Sequence, residues 1–176
     1  AALFMVIGKT LIKDHTQPKG SLGDVFTDVN DLLCASNSEG MFITAFEGVL
    51  DLVTGELRYV NAGHEIPYIC RKNDNFEPYK VKAGFVLAGM EQMQYKEESV
   101  QLEVGDRLFL YTDGVPEATN ANSELYGSER LCQCLNRNKD TTPEVLFVGD
   151  VPQFDNITML CLEYKEQCKK GIEYRI

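Results

Sequence analysis

Two aspartates, Asp113 and Asp155, carry the clearest chemical signal in the sequence. Asp113 directly follows the apolar run 108–111, and Asp155 lies just before the apolar run 157–162. Neither run alternates with polar residues, so both are predicted to be buried strands. If the two strands are antiparallel neighbours, the carboxylates converge at one edge of the sheet. Converging carboxylates repel unless one is protonated or a cation lies between them, so a divalent ion that prefers oxygen ligands is expected there.

Three further residues are candidates for a functional site. Gly114 allows a tight turn directly after Asp113. Glu117 lies four residues after Asp113, so a helix beginning there would place both acids on one side. His64 ends the segment Asn61-Ala-Gly-His64, whose glycine suits a site wall that needs close backbone approach. Simpler interpretations stay open: turn aspartates beside strands, an acid in the first turn of a helix, and an exposed turn histidine.

Several other kinds of active site are not indicated by the sequence. It contains no G-x-S-x-G, Walker or G-x-G-x-x-G motif, and no serine or cysteine has an evident histidine partner. Only two histidines are present, so a zinc site rich in histidine is not expected. The six cysteines form no C-x-x-C pair, which favours reduced thiols in a cytosolic protein.

Length and charge narrow the class of protein. A chain of 176 residues with 44% hydrophobic residues is predicted to form one globular domain over residues 1–176. The net charge of −10 argues against nucleic acid or an anionic membrane surface as the main partner. The longest apolar run, 1–7, is too short to insert into a bilayer as a spanning helix.

Periodic patterns predict two helices at the start of the chain. Residues 2–14 are apolar over their first two turns, which is typical of a helix packed on more than one side. Ser21, with Asp24 three residues later, resembles a capping box that opens the second helix. The apolar stripe of that helix is formed by Leu22, Phe26, Val29 and Leu33. Such a stripe indicates that the helix covers a sheet.

Strands are predicted in the middle of the chain and short helices after it. The predicted strands before the Asp113 strand cover residues 42–52, 56–61, 67–71, 76–81 and 99–104. The first two form a hairpin around a turn at 53–55, and Val100, Leu102 and Val104 are expected to face inward. A helix is predicted over 127–135. Thr142 has the sequence features of a helix start, but only a few residues continue that helix. This order predicts an α+β fold with helices covering a largely antiparallel sheet.

Three segments, taken in order, resemble signatures of the metal-dependent protein phosphatases. They are Asn61-Ala-Gly-His64, Leu110-Tyr-Thr-Asp-Gly-Val-Pro-Glu-Ala118 and Pro152-Gln-Phe-Asp-Asn-Ile-Thr-Met-Leu160. The resemblance is to the protein phosphatase 2C (PPM) family, in its bacterial, SpoIIE-like branch of sporulation and stress-response signalling. Further similar segments are Gly40-Met-Phe-Ile-Thr-Ala45, Thr54-Gly-Glu-Leu-Arg-Tyr59 and Leu125-Tyr-Gly-Ser-Glu-Arg-Leu131.

The resemblance implies a fold and a chemistry. The implied fold is two stacked, mostly antiparallel β-sheets flanked by helices, and the implied activity is hydrolysis of phosphoserine and phosphothreonine in proteins. Two Mn²⁺ or Mg²⁺ ions, roughly 3.5–4 Å apart, would activate the attacking water. Asp113 and Asp155 match catalytic metal-binding aspartates, with Gly114 in the same motif. Glu117 and His64 fall near positions that flank an additional metal in some relatives.

Two departures from the family pattern predict an incomplete domain. The first metal-binding aspartates, in an Asp-x-Ser-Gly-like segment, would lie upstream of Ala1, and relatives carry a longer helix between the positions of Leu146 and Phe147. We therefore expect residues 1–176 alone to be inactive. The chain is expected to belong to a larger signalling protein, cytoplasmic or forming the cytoplasmic part of a membrane-bound sensor.

The expected partner is a phosphorylated protein, of which an anti-sigma-factor antagonist is one example among relatives. Two other functions stay open. The first is a catalytically inactive, phosphatase-like module that binds proteins. The second is a two-metal hydrolase of small phosphoesters.

Overall fold

The computed structural model describes residues 2–16, 20–72, 74–137, 156–165 and 173–175. The contacts within the chain group its residues into two compact units. The first unit comprises Ala1–His64, Lys82–Leu102 and Glu166–Ile176, and the second comprises Glu65–Val81 and Glu103–Lys165. A single domain over residues 1–176 stays a prediction.

The described residues form three helices and eight strands. In chain order these are α1 (Ala2–His15), α2 (Leu22–Ala35), β1 (Ala45–Asp51), β2 (Glu56–Ala62), β3 (Tyr68–Cys70), β4 (Phe76–Pro78), β5 (Glu98–Gln101), β6 (Arg107–Tyr111), α3 (Gly127–Arg137), β7 (Met159–Glu163) and β8 (Glu173–Arg175).

The first unit contains a four-stranded antiparallel sheet in the order β5-β2-β1-β8, together with α1 and α2. β1 and β2 form the predicted hairpin, in register from Ala45↔Ala62 to Leu50↔Leu57. Ser21 caps α2 as predicted, because its side chain accepts a hydrogen bond from the Asp24 N–H at 3.3 Å. The predicted apolar stripe of α2 is buried: Leu22, Phe26, Val29 and Leu33 are at most 1% exposed. This stripe forms the centre of the first unit's core.

The second unit contains a four-stranded antiparallel sheet in the order β4-β3-β6-β7, with α3 packed near β4. β6 is buried as predicted: Leu108, Phe109, Leu110 and Tyr111 are 0–8% exposed. α3 confirms the helix predicted over 127–135, and its buried residues are Leu131 and Leu135. Helices combined with two antiparallel sheets confirm the predicted α+β class.

Two details of the sequence prediction were wrong. β7 is not a buried strand: among the described strands it lies at the edge of its sheet, and Leu160 is 45% exposed. An edge strand is paired on one side only, so its side chains are less covered. Val104 does not face inward with Val100 and Leu102 but is 41% exposed. The reason is that β5 ends at Gln101, so Val104 already belongs to the turn before β6.

Some predicted features lie outside the described residues: Asp155, Cys168, the helix start at Thr142, and the Leu146–Phe147 junction. The five described cysteines are free thiols. Within the ranges that the structure describes, no helix is long and apolar enough to cross a bilayer.

Candidate metal centre

The strands that flank Asp113 and Asp155 in sequence are antiparallel neighbours, which is the condition that the sequence analysis set for the two carboxylates to converge. β6 pairs with β7 from Arg107↔Glu163 to Tyr111↔Met159. Beyond the last pair the chains stay together, because the Thr112 N–H donates to the Thr158 carbonyl at 3.0 Å and the Thr112 hydroxyl donates to the Asn156 carbonyl at 3.0 Å. Asn156 thus lies beside the residue before Asp113. Asp155, which precedes Asn156 in sequence, is outside the described residues.

Asp113 lies in a hydrogen-bonded turn directly after β6. The Val115 N–H donates to the Thr112 carbonyl at 3.0 Å, which closes the turn. The Asp113 carboxylate accepts the Gly114 N–H at 2.9 Å through Oδ1. Gly114 and Val115 are buried whereas Asp113 is exposed. The turn therefore presents the Asp113 carboxylate to solvent from a buried base.

The chain turns tightly at Gly114, as expected, but Glu117 does not lie in a helix. Gly114 is not among the described glycines with positive φ. The turn therefore does not need a left-handed backbone conformation at Gly114. Residues 113–117 form consecutive turns rather than a helix. One backbone hydrogen bond nevertheless joins the two acids: the Glu117 N–H donates to the Asp113 carbonyl at 3.0 Å, the four-residue spacing found in an α-helix. Both side chains are exposed.

Glu65 is a third acid in this region that the sequence motifs did not point to. Burial raises the pKa of the Glu65 carboxyl, and repulsion from Asp113 and Glu117 raises it further, against a hydrogen bond from Tyr111 that lowers it. Burial also raises the pKa of Tyr111, whose hydroxyl interacts with both Tyr68 and Glu65. Three carboxylates that repel one another form an electrostatic environment that favours a cation. The only sequence signal for Glu65 was its position directly after His64.

His64 belongs to the first unit and lies two residues after the end of β2. The Asn61 side chain bonds both backbone groups of His64, with Oδ1 accepting the His64 N–H at 2.8 Å and Nδ2 donating to the His64 carbonyl at 3.1 Å. Gly63, between them, has φ +68°. The imidazole Nδ1 lies 3.4 Å from the Thr44 hydroxyl oxygen. The Asn61–His64 segment is thus a closed turn with a fixed backbone.

The donor chemistry around Asp113 fits a hard divalent cation, because carboxylate oxygens are the ligands that Mg²⁺ and Mn²⁺ prefer. In the part of the chain that the structure describes, no three His, Cys, Asp or Glu side chains gather closely enough to hold an ion. A site with three such ligands at Asp113 would therefore include a residue from outside those ranges. Asp155 is the acid adjacent in sequence to Asn156.

Comparisons with known proteins agree with the motif resemblance. The family model described as "Stage II sporulation protein E (SpoIIE)" matches residues 1–165. Protein IcfG of Synechocystis sp. (strain ATCC 27184 / PCC 6803 / Kazusa) is 31% identical over 143 residues, covering 76% of this chain and 22% of IcfG. Phosphoserine phosphatase RsbU of Bacillus subtilis (strain 168) is 27% identical over 150 residues, covering 80% of this chain and 44% of RsbU. The chain thus spans less than half the length of both curated relatives.

Solved structures show the same fold at low sequence identity. The RsbU and RsbW domains of Rv1364c from Mycobacterium tuberculosis superpose with a TM-score of 0.78 at 19% identity, covering 96% of this chain and 49% of that one. The catalytic domain of the serine/threonine phosphatase PstP, solved with two manganese ions, has a TM-score of 0.54 at 15% identity and covers 76% of this chain and 66% of its own. With the family model matched from Ala1 to Lys165, this chain belongs to the SpoIIE family, whose fold is that of the protein phosphatase 2C-like phosphatases.

Proposed function

We propose that this chain is the catalytic domain of a metal-dependent protein serine/threonine phosphatase. One observation carries the proposal: the bonds of Thr112 bring Asn156, the residue after Asp155 in sequence, beside the Asp113 turn. Membership of a family that includes a phosphoserine phosphatase supports the same activity.

In this proposal, Asp113 and Asp155 are the principal ligands, and Gly114 holds the Asp113 carboxylate through its N–H. Glu117 would serve an additional ion. When bound, two Mn²⁺ or Mg²⁺ ions supply an activated water and neutralise charge on the phosphate oxygens. Glu65 adds negative potential near Asp113 and Glu117. That potential attracts dications, and without them it disfavours a phosphate group.

The proposed substrate is a phosphoserine or phosphothreonine side chain of a signalling regulator, such as an anti-sigma-factor antagonist. The exposed position of the Asp113 turn is compatible with a protein-borne phosphate, because access does not depend on a deep cavity. The proposed location is the cytoplasm, within a larger signalling protein.

The test is an Asp113→Asn variant of the full-length natural protein, assayed for Mn²⁺-dependent phosphate release from a phosphoserine protein. Removing a charged oxygen ligand should abolish turnover at subsaturating Mn²⁺, while circular dichroism stays unchanged because Asp113 is exposed. Asp28→Asn is the matched control, since Asp28 is an exposed aspartate on α2, and it should turn over like the wild type.

Wild-type turnover by Asp113→Asn would refute the assignment of the metal site. A wild-type protein that binds the phosphoprotein but releases no phosphate with Mn²⁺ or Mg²⁺ would identify a binding module instead. Release of phosphate from nucleotides but not from phosphoproteins would identify a hydrolase of small phosphoesters.

A further inference from the structure

Thr112 forms hydrogen bonds through its N–H, its carbonyl and its hydroxyl where the β6–β7 ladder ends. Its N–H donates to the Thr158 carbonyl at 3.0 Å, and its carbonyl accepts from the Val115 N–H at 3.0 Å. Its hydroxyl donates to the Asn156 carbonyl at 3.0 Å and accepts from the Thr158 N–H at 3.0 Å. One residue therefore connects β6, the Asp113 turn and the chain leading into β7.

These bonds differ from those of a regular antiparallel ladder in one respect: a side-chain hydroxyl takes the place of a backbone carbonyl as acceptor. Residues of a hydrogen-bonded pair normally exchange two bonds between their N–H and carbonyl groups. Here the Thr158 N–H is bonded to the Thr112 hydroxyl instead of the Thr112 carbonyl. The carbonyl is thereby available for the Val115 N–H, which closes the turn around Asp113 and Gly114. The hydroxyl allows the ladder to end and the turn to close at the same residue.

We propose that Thr112 is a positioning residue whose hydroxyl sets the spacing between the Asp113 turn and the Asn156 end of β7, and thereby the divalent-cation affinity of the site. The inference rests on the proposed function, because it takes Asp113 as a metal ligand. Thr112 acts through its neighbours and not on the substrate, since its hydroxyl proton is donated to the Asn156 carbonyl.

The side-chain type fits this role. The β-branched side chain of threonine is restricted at χ1, so the hydroxyl is held towards β7. Valine has nearly the same shape without the hydroxyl, and serine has the hydroxyl without the branch. Comparing Thr112→Val with Thr112→Ser therefore separates the hydrogen bonds from the packing. Thr10→Val is a matched control, because the Thr10 hydroxyl also bonds a backbone carbonyl, that of Val6 at 2.8 Å, but within α1 of the first unit.

The first measurement is Mn²⁺ affinity in the full-length natural protein, by titration calorimetry and by the paramagnetic resonance signal of free Mn²⁺. Partners that orient metal ligands typically contribute 10–100-fold to affinity, so Thr112→Val should weaken Mn²⁺ binding by about 10-fold or more. Thr112→Ser should keep most of the affinity, and Thr10→Val all of it. The Mn²⁺ concentration for half-maximal activity should rise in Thr112→Val, with kcat largely recovered at saturating Mn²⁺. A general loss of folded protein would instead lower kcat.

The second measurement needs neither metal nor activity. Without the hydroxyl, the Thr158 N–H loses its partner, and its amide hydrogen exchange should become about 2- to 10-fold faster, as expected for the loss of one net hydrogen bond. All variants are compared at a temperature where circular dichroism shows them folded, and Thr112→Ala is a second hydroxyl-free variant.

The outcomes separate this inference from the proposed function. If Asp113→Asn loses Mn²⁺ binding while both hydroxyl-free variants bind like the wild type, the positioning role is wrong and the metal site stands. If Asp113→Asn binds Mn²⁺ like the wild type, the metal site itself is wrong. If the Thr158 amide hydrogen exchanges at the wild-type rate in Thr112→Val, the inference is wrong, because it depends on the hydrogen bond from the Thr158 N–H to the Thr112 hydroxyl.

Discussion

The side chain of Asn61 is bonded to both backbone groups of His64, at 2.8 Å to its N–H and at 3.1 Å to its carbonyl. Asn61 is 5% exposed, so these bonds are largely shielded from water. An amide is suited to this position because it offers one acceptor and one donor in fixed geometry. The position of the His64 backbone therefore depends on Asn61.

Asn61→Ala should destabilise the protein by about 1–3 kcal/mol, because the His64 backbone groups lose their partners in a poorly hydrated place. Urea unfolding at neutral pH measures the loss. Asn122→Ala is the control at an exposed asparagine and should change the free energy of unfolding very little. Equal stability of the two variants would show that water replaces the Asn61 amide without cost.

Gly63 is expected to tolerate no side chain, for two separable reasons. Its φ of +68° is unfavourable for other residues, and a Cβ would lie 2.6 Å from Cγ1 of Val86 and 3.4 Å from its backbone. Left-handed backbone costs about 1–2 kcal/mol for a residue with a Cβ, and overpacking adds about 1–3 kcal/mol. Gly63→Ala should therefore lower the free energy of unfolding by both amounts.

Gly40→Ala isolates the backbone part of that cost. Gly40 has φ +64°, and a Cβ there would meet nothing within 4 Å. Its destabilisation, measured by the same urea unfolding, should equal the backbone penalty alone. If the two alanine variants were equally destabilised, the contact with Val86 would contribute nothing.

The ion pair between the buried Asp106 and the partly exposed Arg71 predicts a pH-dependent stability. Burial acts to raise the pKa of the Asp106 carboxyl, but bonds from the Glu103 N–H, the Arg71 guanidinium and the Lys72 N–H together hold that pKa below its ordinary value of 3.8. The guanidinium lies 2.6 Å from the carboxylate, whose side chain is 2% exposed. A carboxyl with a lowered folded-state pKa stabilises the fold above 3.8 and loses that contribution as pH falls through the folded-state pKa.

Asp106→Asn should cost about 1–3 kcal/mol at neutral pH, the range for losing hydrogen bonds to a buried charged group. The difference from the wild type should stay constant down to pH 3.8 and shrink below it. Urea unfolding as a function of pH measures both. Asp28→Asn, at an exposed position on α2, should give a small difference at every pH. A difference for Asp106→Asn that grew with acidity would contradict the assignment.

Local patterns in the sequence were sufficient to predict much of the fold. The Ser21 cap and the buried stripe of α2 depend on residues within one helix, so periodicity and spacing identify them. The buried β6 strand followed from an apolar run without alternation. Its antiparallel pairing with β7 was only a supposition from the sequence, and the structure shows that pairing. The assignment of Asp113 and Asp155 as ligands stays a prediction.

What the sequence could not determine depends on contacts between distant segments. The exposure of Leu160 follows from the edge position of β7 in its sheet, and the strand's own residues do not encode that position. Glu65 lies near Asp113 and Glu117 only because β3 pairs with β6. By itself, the sequence of this protein determined the three described helices, the buried strand β6 and the acid Asp113 that follows it, because those depend on short-range periodicity. Only the tertiary structure decided that the Thr112 hydroxyl, and not the Thr112 carbonyl, accepts the Thr158 N–H, because this hydrogen bond forms only when β6 and β7 are paired.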